Sequence, residues 1–585
     1  MPQFYKLYYN TRTKLLINSK YTSNCAIIGL NNIRKKYDML IKIQKLDKRQ
    51  LCINLLPYVI IILAMLLVSP SGPLYRYSLL NPDLATNQSV VKGLLHGRIL
   101  FKNIFEQRGQ YFYWLLMPGM LFNANYYLGR IWVWLIETGN MCLLYFAMNK
   151  LNKDRLCNTL LVLFAISFPA TSSIGESESF GMPIFIYIAY LALTVKKLSL
   201  KQNFVLGLLF GIVLEIKYGM IGLICGFYFG YGMYLLVKKQ FKYFAQTVLV
   251  AISGVLAAQI PLLIYELANH NLIDYINGYF LADANYLHTS FYNWSCIAPH
   301  ILILIVLCVV TLWPIVYNWL VNKTPMLNRW LFASCLIFAL SFSVIIGHYN
   351  NAYSYPIIAL MLIYAAPNYR EAFKDQHLAK AGRILLMCSA LLVTCVMIFN
   401  RARYAYQEYN FSLVPSPTDE ASAFIRRNPG PILAKGCMAE SLFAENNEYP
   451  KFKHFGTIFL SKDVYPEQYQ AQEKYLAQKK PKWVFVKGTC SKNLTDLKNF
   501  LDYSTPEHFD LQYPSKKVYI KSKYGDNYLY SSTNDSKNLL KNYYLVWLKP
   551  GLMNIDNTSG TIYELWLRKG EKVNYNPHAE VISLN

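Results

Sequence analysis

Charged residues are scarce in this chain, at 16% of 585 positions, and acidic ones are the scarcer kind, with 33 Asp and Glu against 58 Lys and Arg. Hydrophobic residues make up 54% of the sequence. The apolar residues fall in runs of about 17 to 22 with few charges, the length at which a helix crosses roughly 30 Å of hydrocarbon. The composition therefore argues against an ordinary water-soluble protein and indicates that lipid surrounds much of the chain.

Paired metal-ligating cysteines and a nucleotide-binding loop are also lacking. The twelve cysteines form no Cys-x-x-Cys pair, and most lie in apolar runs, as small core residues do. Cys437 and Cys490 both lie in the C-terminal part, where a disulfide between them is left open. The net charge of +25 comes without a nucleic-acid-binding motif, so we expect no nucleic-acid partner.

Eleven apolar runs predict transmembrane helices. They cover residues 52–69, 128–148, 156–172, 179–195, 203–217, 219–236, 244–265, 298–321, 330–347, 353–368 and 383–400. The count of eleven requires two short helices, rather than one long one, within 203–236. The predicted fold class is mainly α, a polytopic membrane helix bundle.

Basic residues indicate how the bundle is oriented. Residues 1–50 carry eleven Lys or Arg against Asp38 and Asp47, so this end is expected in the cytoplasm, with the first span as an uncleaved insertion signal. Every predicted inner loop is basic. An odd number of spans keeps each of these loops on the cytoplasmic side. Residues after 400 are then extracytoplasmic, and the expected location is the plasma (inner) membrane.

The spans and the basic residues together predict three regions. They are a basic cytoplasmic segment at 1–50, a transmembrane domain at 51–400 with a long outer loop at 70–127, and an extracytoplasmic domain at 401–585. Within the outer loop, Tyr111–Phe122 is apolar but too short to span, and we expect it to lie along the membrane surface or re-enter.

The extracytoplasmic domain is predicted to be a small α/β domain, because strand-like segments alternate with helix-like ones. The strand-like segments are residues 432–435, 483–486, 517–520, 543–548 and 562–567, and the helix-like segments lie near 418–427 and 465–480.

Ionisable and aromatic residues at the outer ends of the spans are the candidates for chemistry, because charges at membrane depth usually face a cavity or a partner. They are Asp83, Glu106, Arg108, Glu176, Glu178, Glu215, Lys217, His348 and Tyr349. Each has an ordinary interpretation as well, namely solvated loop charges, carboxylates that complement a helix dipole, a snorkelling lysine or a structural histidine. Glu215, two residues before Lys217, either neutralises it or lines the same cavity.

Four segments in a fixed order carry a resemblance. They are Asp83 with Gly97-Arg98 and residues 105–109 before an aromatic run, the acidic segment 175–183, the Gly-rich hairpin 207–222 with Lys217 at its turn, and residues 347–356 with His348-Tyr349 before Pro356. This pattern resembles the polyprenol-phosphate-sugar-dependent glycosyltransferases of the GT-C fold, particularly bacterial relatives of protein O-mannosyltransferases and of the lipid A aminoarabinose transferases.

The resemblance implies an inverting transfer of a sugar from a polyprenyl-phosphate donor to an extracytoplasmic glycan, lipid or protein acceptor. It assigns Asp83 as the catalytic carboxylate. It also implies donor-phosphate binding by Arg108, Lys217 and His348, and substrate orientation by Glu106, Glu178 and Tyr349. No cofactor is required, although a divalent cation held by paired carboxylates stays open.

Three other functions fit parts of the sequence. A secondary transporter explains many helices, but not the long first outer loop or the outer domain, and no inverted repeat is visible. A glycan polymerase or ligase that uses a diphosphate-linked lipid is closer in build. A membrane anchor for a partner-binding outer domain does not need eleven spans.

Overall fold

The computed structural model describes part of the chain. The described residues are 48–69, 71–73, 82–106, 108–121, 126–166, 177–281, 307–316, 318–320, 325–345, 354–372, 417–435, 442–443, 466–478, 481–492, 518–521, 527–530, 542–553 and 559–571, together with isolated helical positions between 382 and 399. The chain divides into two units, Met1–Ile60 and Ile61–Asn585, and the features below belong to the second unit except where a helix begins in the first.

Helices dominate the described residues up to 372, as the apolar runs predict. They are α1 Lys48–Val68, α2 Pro82–Leu95, α3 Gln110–Leu116, α4 Tyr126–Leu151, α5 Arg155–Ile166, α6 Ser177–Thr194, α7 Leu200–Ile216, α8 Gly222–Val237, α9 Phe241–Ala268, α10 Leu272–Tyr275, α11 Met326–Ile345 and α12 Tyr355–Ala372. Residues 307–316 and 318–320 are helical as well.

Five described helices are long and apolar enough to cross a membrane. They lie at Gln50–Val68, Leu128–Leu151, Ser177–Thr194, Phe241–Ala268 and Met326–Ser343. Shorter apolar helices cover Arg155–Ile166, Gly222–Val237 and Leu307–Leu320. The protein is thus a multi-pass membrane protein with a mainly α fold, as predicted, whereas the total of eleven spans stays a prediction.

The region 203–236 forms two helices. Helix α7 ends at Ile216, Lys217 is extended with φ −166° and ψ 112°, and a 3₁₀ turn at Tyr218–Met220 leads into α8. One extended residue is enough to end the α-helical hydrogen-bond pattern. The split that the sequence interpretation required is therefore present, with Lys217 at the break.

Helix α7 packs closely on α9. A Cβ atom on Gly207 would lie 2.2 Å from the carbonyl oxygen of Ala251, so only glycine permits this approach. The amide of Asn203 donates to the backbone carbonyl of Thr247 in the same interface. These contacts hold the first half of α7 against α9.

The described residues of the first predicted outer loop are largely helical. Helix α2 begins at Pro82, and a short helix, α3, continues into a 3₁₀ turn at Met117–Met120. The shortness of α3 agrees with the prediction that this apolar stretch does not span. Helix α2 was not predicted, although proline at a first helical position with Asp83 next to it is a helix-start signal.

The C-terminal region contains helices α13 Pro417–Arg427 and α14 Pro466–Gln478 and a six-stranded sheet. The strands are β1 Ile432–Lys435, β2 Trp483–Lys492, β3 Val518–Lys521, β4 Asn527–Tyr530, β5 Tyr543–Met553 and β6 Ser559–Arg568. The order is β3-β4-β2-β6-β5, with β1 parallel to β2, from Ile432 opposite Trp483 onwards.

The core of this domain lies on strands β2 and β6. Trp483 and Trp566 are fully buried there, and the indole of Trp483 donates to the carbonyl of Asn428 at 2.8 Å. The predicted α/β character is confirmed, with β4 as a strand that the sequence pattern did not reveal. Cys437 lies outside the described residues, so its pairing with Cys490 stays open.

Candidate functional site

The centre of the candidate site is an ion pair between Lys217 and Glu178. The Lys217 ammonium donates to Oε1 of Glu178 at 2.5 Å, and the Ser177 hydroxyl donates to Oε2 at 3.1 Å. The Glu178 side chain is fully buried, whereas the Lys217 side chain is 19% exposed. Residues 39 apart in sequence thus meet because the first turn of α6 lies beside the break after α7.

A second ion pair joins Arg108 to Glu106. Nη1 of Arg108 lies 3.4 Å from Oε1 of Glu106, and both side chains are largely buried. The guanidinium also lies 6.0 Å from the ring centroid of Phe112, which contacts Phe180 edge-on at 5.4 Å. A second, largely buried cation is thus paired with its own carboxylate in the segment just before Gly109.

Gly109 brings the two pairs together. A Cβ atom at this position would lie 2.1 Å from the backbone carbonyl oxygen of Glu215, a distance that no side chain tolerates. The residue after Arg108 is thus pressed against the last turn of α7, two residues before Lys217. Glycine here lets the residue after Arg108 pack against the end of the helix that precedes Lys217.

Glu215 belongs to a neighbouring network. The hydroxyl of Tyr275 donates to its Oε1 at 2.6 Å, and among the described residues the carboxylate that pairs with Lys217 is Glu178. Burial raises the pKa of Tyr275, and the charge of Glu215 raises it further, so the phenol stays protonated and remains a donor. Glu215 was expected either to neutralise Lys217 or to line the same cavity. In the described structure it does not pair with Lys217.

The same network holds the first loop in place. Phe101, with a left-handed φ of 63°, packs its ring 5.6 Å from that of Tyr275 and 6.0 Å from that of Tyr279. The Lys102 ammonium donates to the carbonyl of Asn269 at 2.7 Å. The segment that leads to Glu106 and Arg108 is thus anchored on the residues that follow α9.

The C-terminal domain lies close to this loop. Tyr475 on α14 is half-buried, which raises its pKa, and the nearby positive charge of Arg98 acts in the opposite direction. Arg98 belongs to the Gly97-Arg98 pair of the sequence motif. Tyr475 of the C-terminal domain is thus within electrostatic range of this motif.

Not every predicted residue can be placed. Asp83 lies in the first turn of α2. Glu176, His348 and Tyr349 lie outside the described residues, so their roles stay predictions. Within the described ranges, no three His, Cys, Asp or Glu side chains group as metal ligands.

Sequence reasoning missed several buried polar groups near the site. Arg130 and Glu137 on α4 are 2% and 5% exposed, and the hydroxyl of Ser69 donates to Oε2 of Glu137 at 2.9 Å. Both residues lie inside the predicted span 128–148, so ionisable residues within an apolar run were the signal. Asn87 is fully buried on α2. It does not lie in a predicted apolar run, so nothing in the sequence marked it as a buried polar residue.

The described site combines two cations with two carboxylates in a largely buried setting. A guanidinium presents a planar fork to an oxyanion, whereas an ammonium acts as a compact point charge. Carboxylates that contact these groups hold them in fixed positions before an anion arrives. This arrangement suits recognition of an anionic group that enters from the membrane.

No family model and no curated protein matches the sequence. Among solved structures, the fold is similar to ArnT from Cupriavidus metallidurans bound to undecaprenyl phosphate, with a TM-score of 0.50 and 12% identity over 82% of this chain and 97% of that one. ArnT from the same organism in the apo state gives a TM-score of 0.51 and 10% identity over 84% and 99%. The resemblance to the GT-C fold that four sequence segments suggested is thus confirmed at the level of the fold, over most of the chain.

Proposed function

We propose that this protein is an integral membrane glycosyltransferase that moves a sugar from a polyprenyl-phosphate-linked donor to an extracytoplasmic acceptor with inversion. The observation that carries the proposal is the buried ion pair between Lys217 and Glu178, with the pair of Arg108 and Glu106 beside Gly109, which packs on the last turn of the helix before Lys217. The similar fold of ArnT, which was solved with undecaprenyl phosphate bound, supports a polyprenyl phosphate as the lipid partner. The acceptor is a glycan, lipid or protein on the outer face.

In the proposed reaction, an acceptor hydroxyl attacks the anomeric carbon from the side opposite the phosphate. The new carbon–oxygen bond forms as the bond to the phosphate oxygen breaks, and that oxygen keeps the electron pair. The hydroxyl proton passes to the carboxylate of Asp83, the proposed general base. Polyprenyl phosphate is the leaving group, so no nucleotide is required.

The proposed role of Arg108 and Lys217 is to stabilise the charge that builds up on the leaving phosphate, with His348 as a third donor. Cations held in place before the reaction stabilise such charge without reorganisation. Glu106 and Glu178 orient the two cations through the ion pairs described above. Tyr349 completes the proposed set as a sugar-orienting residue.

The proposed topology places the N-terminus in the cytoplasm and the C-terminal domain outside the plasma (inner) membrane. Support comes from the basic residues of the predicted inner loops and from the break at Lys217, which the odd number of spans requires. Cysteine labelling of one predicted inner and one predicted outer loop, in a variant without its native cysteines, tests this arrangement.

The catalytic assignment is tested with Asp83→Asn and Arg108→Ala in membranes supplied with a polyprenyl-phosphate-linked sugar. We expect transfer to fall about 10²- to 10⁴-fold without the base and about 10²- to 10³-fold without the guanidinium. The matched control is Lys150→Ala, which removes an exposed cation in the last turn of α4. We expect this variant to retain normal transfer.

Binding is measured separately from transfer. Undecaprenyl phosphate is expected to raise the melting temperature of the wild-type protein, because a ligand that binds the folded state stabilises it. The rise should shrink in Arg108→Ala and persist in Asp83→Asn. Near-normal transfer by both variants, at normal membrane insertion, would disprove the catalytic assignment.

A further inference from the structure

Asn87 differs from the other buried asparagines of the described structure. Its side chain is fully buried in the middle of α2, and neither its amide oxygen nor its amide nitrogen has a hydrogen-bond partner there. Seven other buried asparagines each make a side-chain hydrogen bond. They are Asn140, Asn152, Asn158, Asn203, Asn271, Asn328 and Asn368.

This arrangement is unfavourable for folding alone. Burying an amide without a partner destabilises the folded state, and asparagine is also a weak helix former. A leucine at position 87, which has the same number of side-chain heavy atoms, would avoid both penalties. Unpaired buried polar groups of this kind call for an explanation, and retention for function is one.

The position of Asn87 in the helix supplies such an explanation. Asp83 and Asn87 are four residues apart on α2, so the two residues lie one above the other on the same helix face, with roughly 6 Å between neighbouring turns. Asp83 is the residue proposed to accept the proton of the attacking hydroxyl. Asn87 therefore lies one turn from the proposed general base on the same face of α2.

The donors and the acceptor of the amide limit which chemical groups it can bind. Asparagine offers two N–H donors and one carbonyl acceptor, and a partner that uses both ends must itself accept and donate. A sugar hydroxyl does both. An ionised phosphate only accepts, and a polyprenyl chain does neither.

We propose that Asn87 binds a hydroxyl of the sugar that is transferred, through its otherwise unpartnered buried amide. This inference rests on the proposed function, and it adds a residue that recognises the sugar rather than its phosphate. The hydroxyl of the acceptor is the other source of the same chemistry.

The test replaces Asn87 with Leu in the full-length protein. Melting temperatures are measured alone, with undecaprenyl phosphate, and with a panel of undecaprenyl-phosphate-linked hexoses and pentoses. We expect Asn87→Leu to melt about 2 °C or more above wild type without ligand, because it removes an unpaired amide. Its stabilisation by undecaprenyl phosphate is unchanged, whereas the additional stabilisation from the attached sugar is lost and kcat/KM falls about 100-fold.

Asn328→Leu is the matched control. Asn328 is also buried, but its amide donates to the carbonyls of Ala192 and Leu193 at 2.9 and 2.6 Å. This variant should therefore melt below wild type and keep the sugar-dependent stabilisation. The opposite shifts of the two variants separate a ligand-binding amide from a structural one.

The remaining outcomes are decisive as well. If Asn87→Leu keeps the sugar-dependent stabilisation but loses transfer, the hydroxyl belongs to the acceptor. If Asn87→Leu melts below wild type with unchanged kinetics, or melts higher with unchanged kinetics, the inference is wrong. A wild-type protein that gains nothing from the attached sugar also overturns it. Absence of any response to undecaprenyl phosphate refutes the proposed function instead.

Discussion

Replacing Glu178 with Gln probes the ion pair at the centre of the site. The change removes the carboxylate charge and keeps a carbonyl oxygen near the Lys217 ammonium. The loss of stability therefore measures the contribution of the charge rather than that of the hydrogen bond. Removing one partner of a buried pair destabilises a protein by about 3–5 kcal/mol. Because the Lys217 side chain is 19% exposed and water can reach it, we expect the lower end, about 3 kcal/mol.

The opposite variant should be less stable still. Lys217→Met leaves the fully buried Glu178 carboxylate without its cation, and an uncompensated charge is most unfavourable where water is excluded. The double variant removes both charges, so its loss of stability should be smaller than the sum of the two single losses. We expect a coupling of about 2 kcal/mol or more between the two positions.

Thermal unfolding in detergent measures these effects. At roughly 2 °C for each kcal/mol in a large chain, Glu178→Gln should lower the melting temperature by about 6 °C. The matched control is Glu571→Gln, which breaks the more exposed pair with Arg568 and should cost no more than about 1 kcal/mol. A Glu178→Gln protein that melts within 1 °C of wild type, or additive single effects, would refute the reasoning.

Three further changes test the contacts around the pair. Gly109→Ala would place a carbon 2.1 Å from the Glu215 carbonyl oxygen, so we expect lower melting temperature and transfer together, and wild-type values in both assays would contradict the contact. Phe101→Gly should be more stable than Phe101→Ala by about 1 kcal/mol in denaturant unfolding, because of its φ of 63°; the usual order, with alanine more stable, would argue against this backbone strain. Tyr275→Phe removes a donor from Glu215 and should lower the unfolding free energy by about 1–3 kcal/mol, whereas unchanged stability would mean that the bond contributes little.

Elements that arise from local pattern were predictable from the sequence. Apolar run length located the helices, and alternation located most strands of the C-terminal sheet. The break at Lys217 was predicted because a charged residue stood between two runs that were each just long enough to span. Helix α2 was missed because its sequence is polar and its apolar pattern weak, so that only the start signal at Pro82 was available.

Contacts between distant segments were not predictable in the same way. The sequence drew attention to Glu215 as a partner for Lys217 because the two are neighbours in the chain, but Lys217 is extended beyond the end of α7 and does not continue the helix that carries Glu215. Glu178 takes that place because α6 and α7 pack so that their ends meet. The unpartnered amide of Asn87 could not be foreseen either, since it depends on what surrounds the side chain.

The pairing of Glu178 with Lys217 has a kinetic consequence under the proposed function. A carboxylate that already contacts the cation competes with an incoming phosphate, so part of the attraction between Lys217 and the phosphate is offset by the loss of the ion pair. The spent polyprenyl phosphate would then be held less tightly than by an unpaired lysine, which favours its release. Glu178 would thus speed turnover by limiting product inhibition, and Glu178→Gln would bind undecaprenyl phosphate more tightly than wild type while folding less stably.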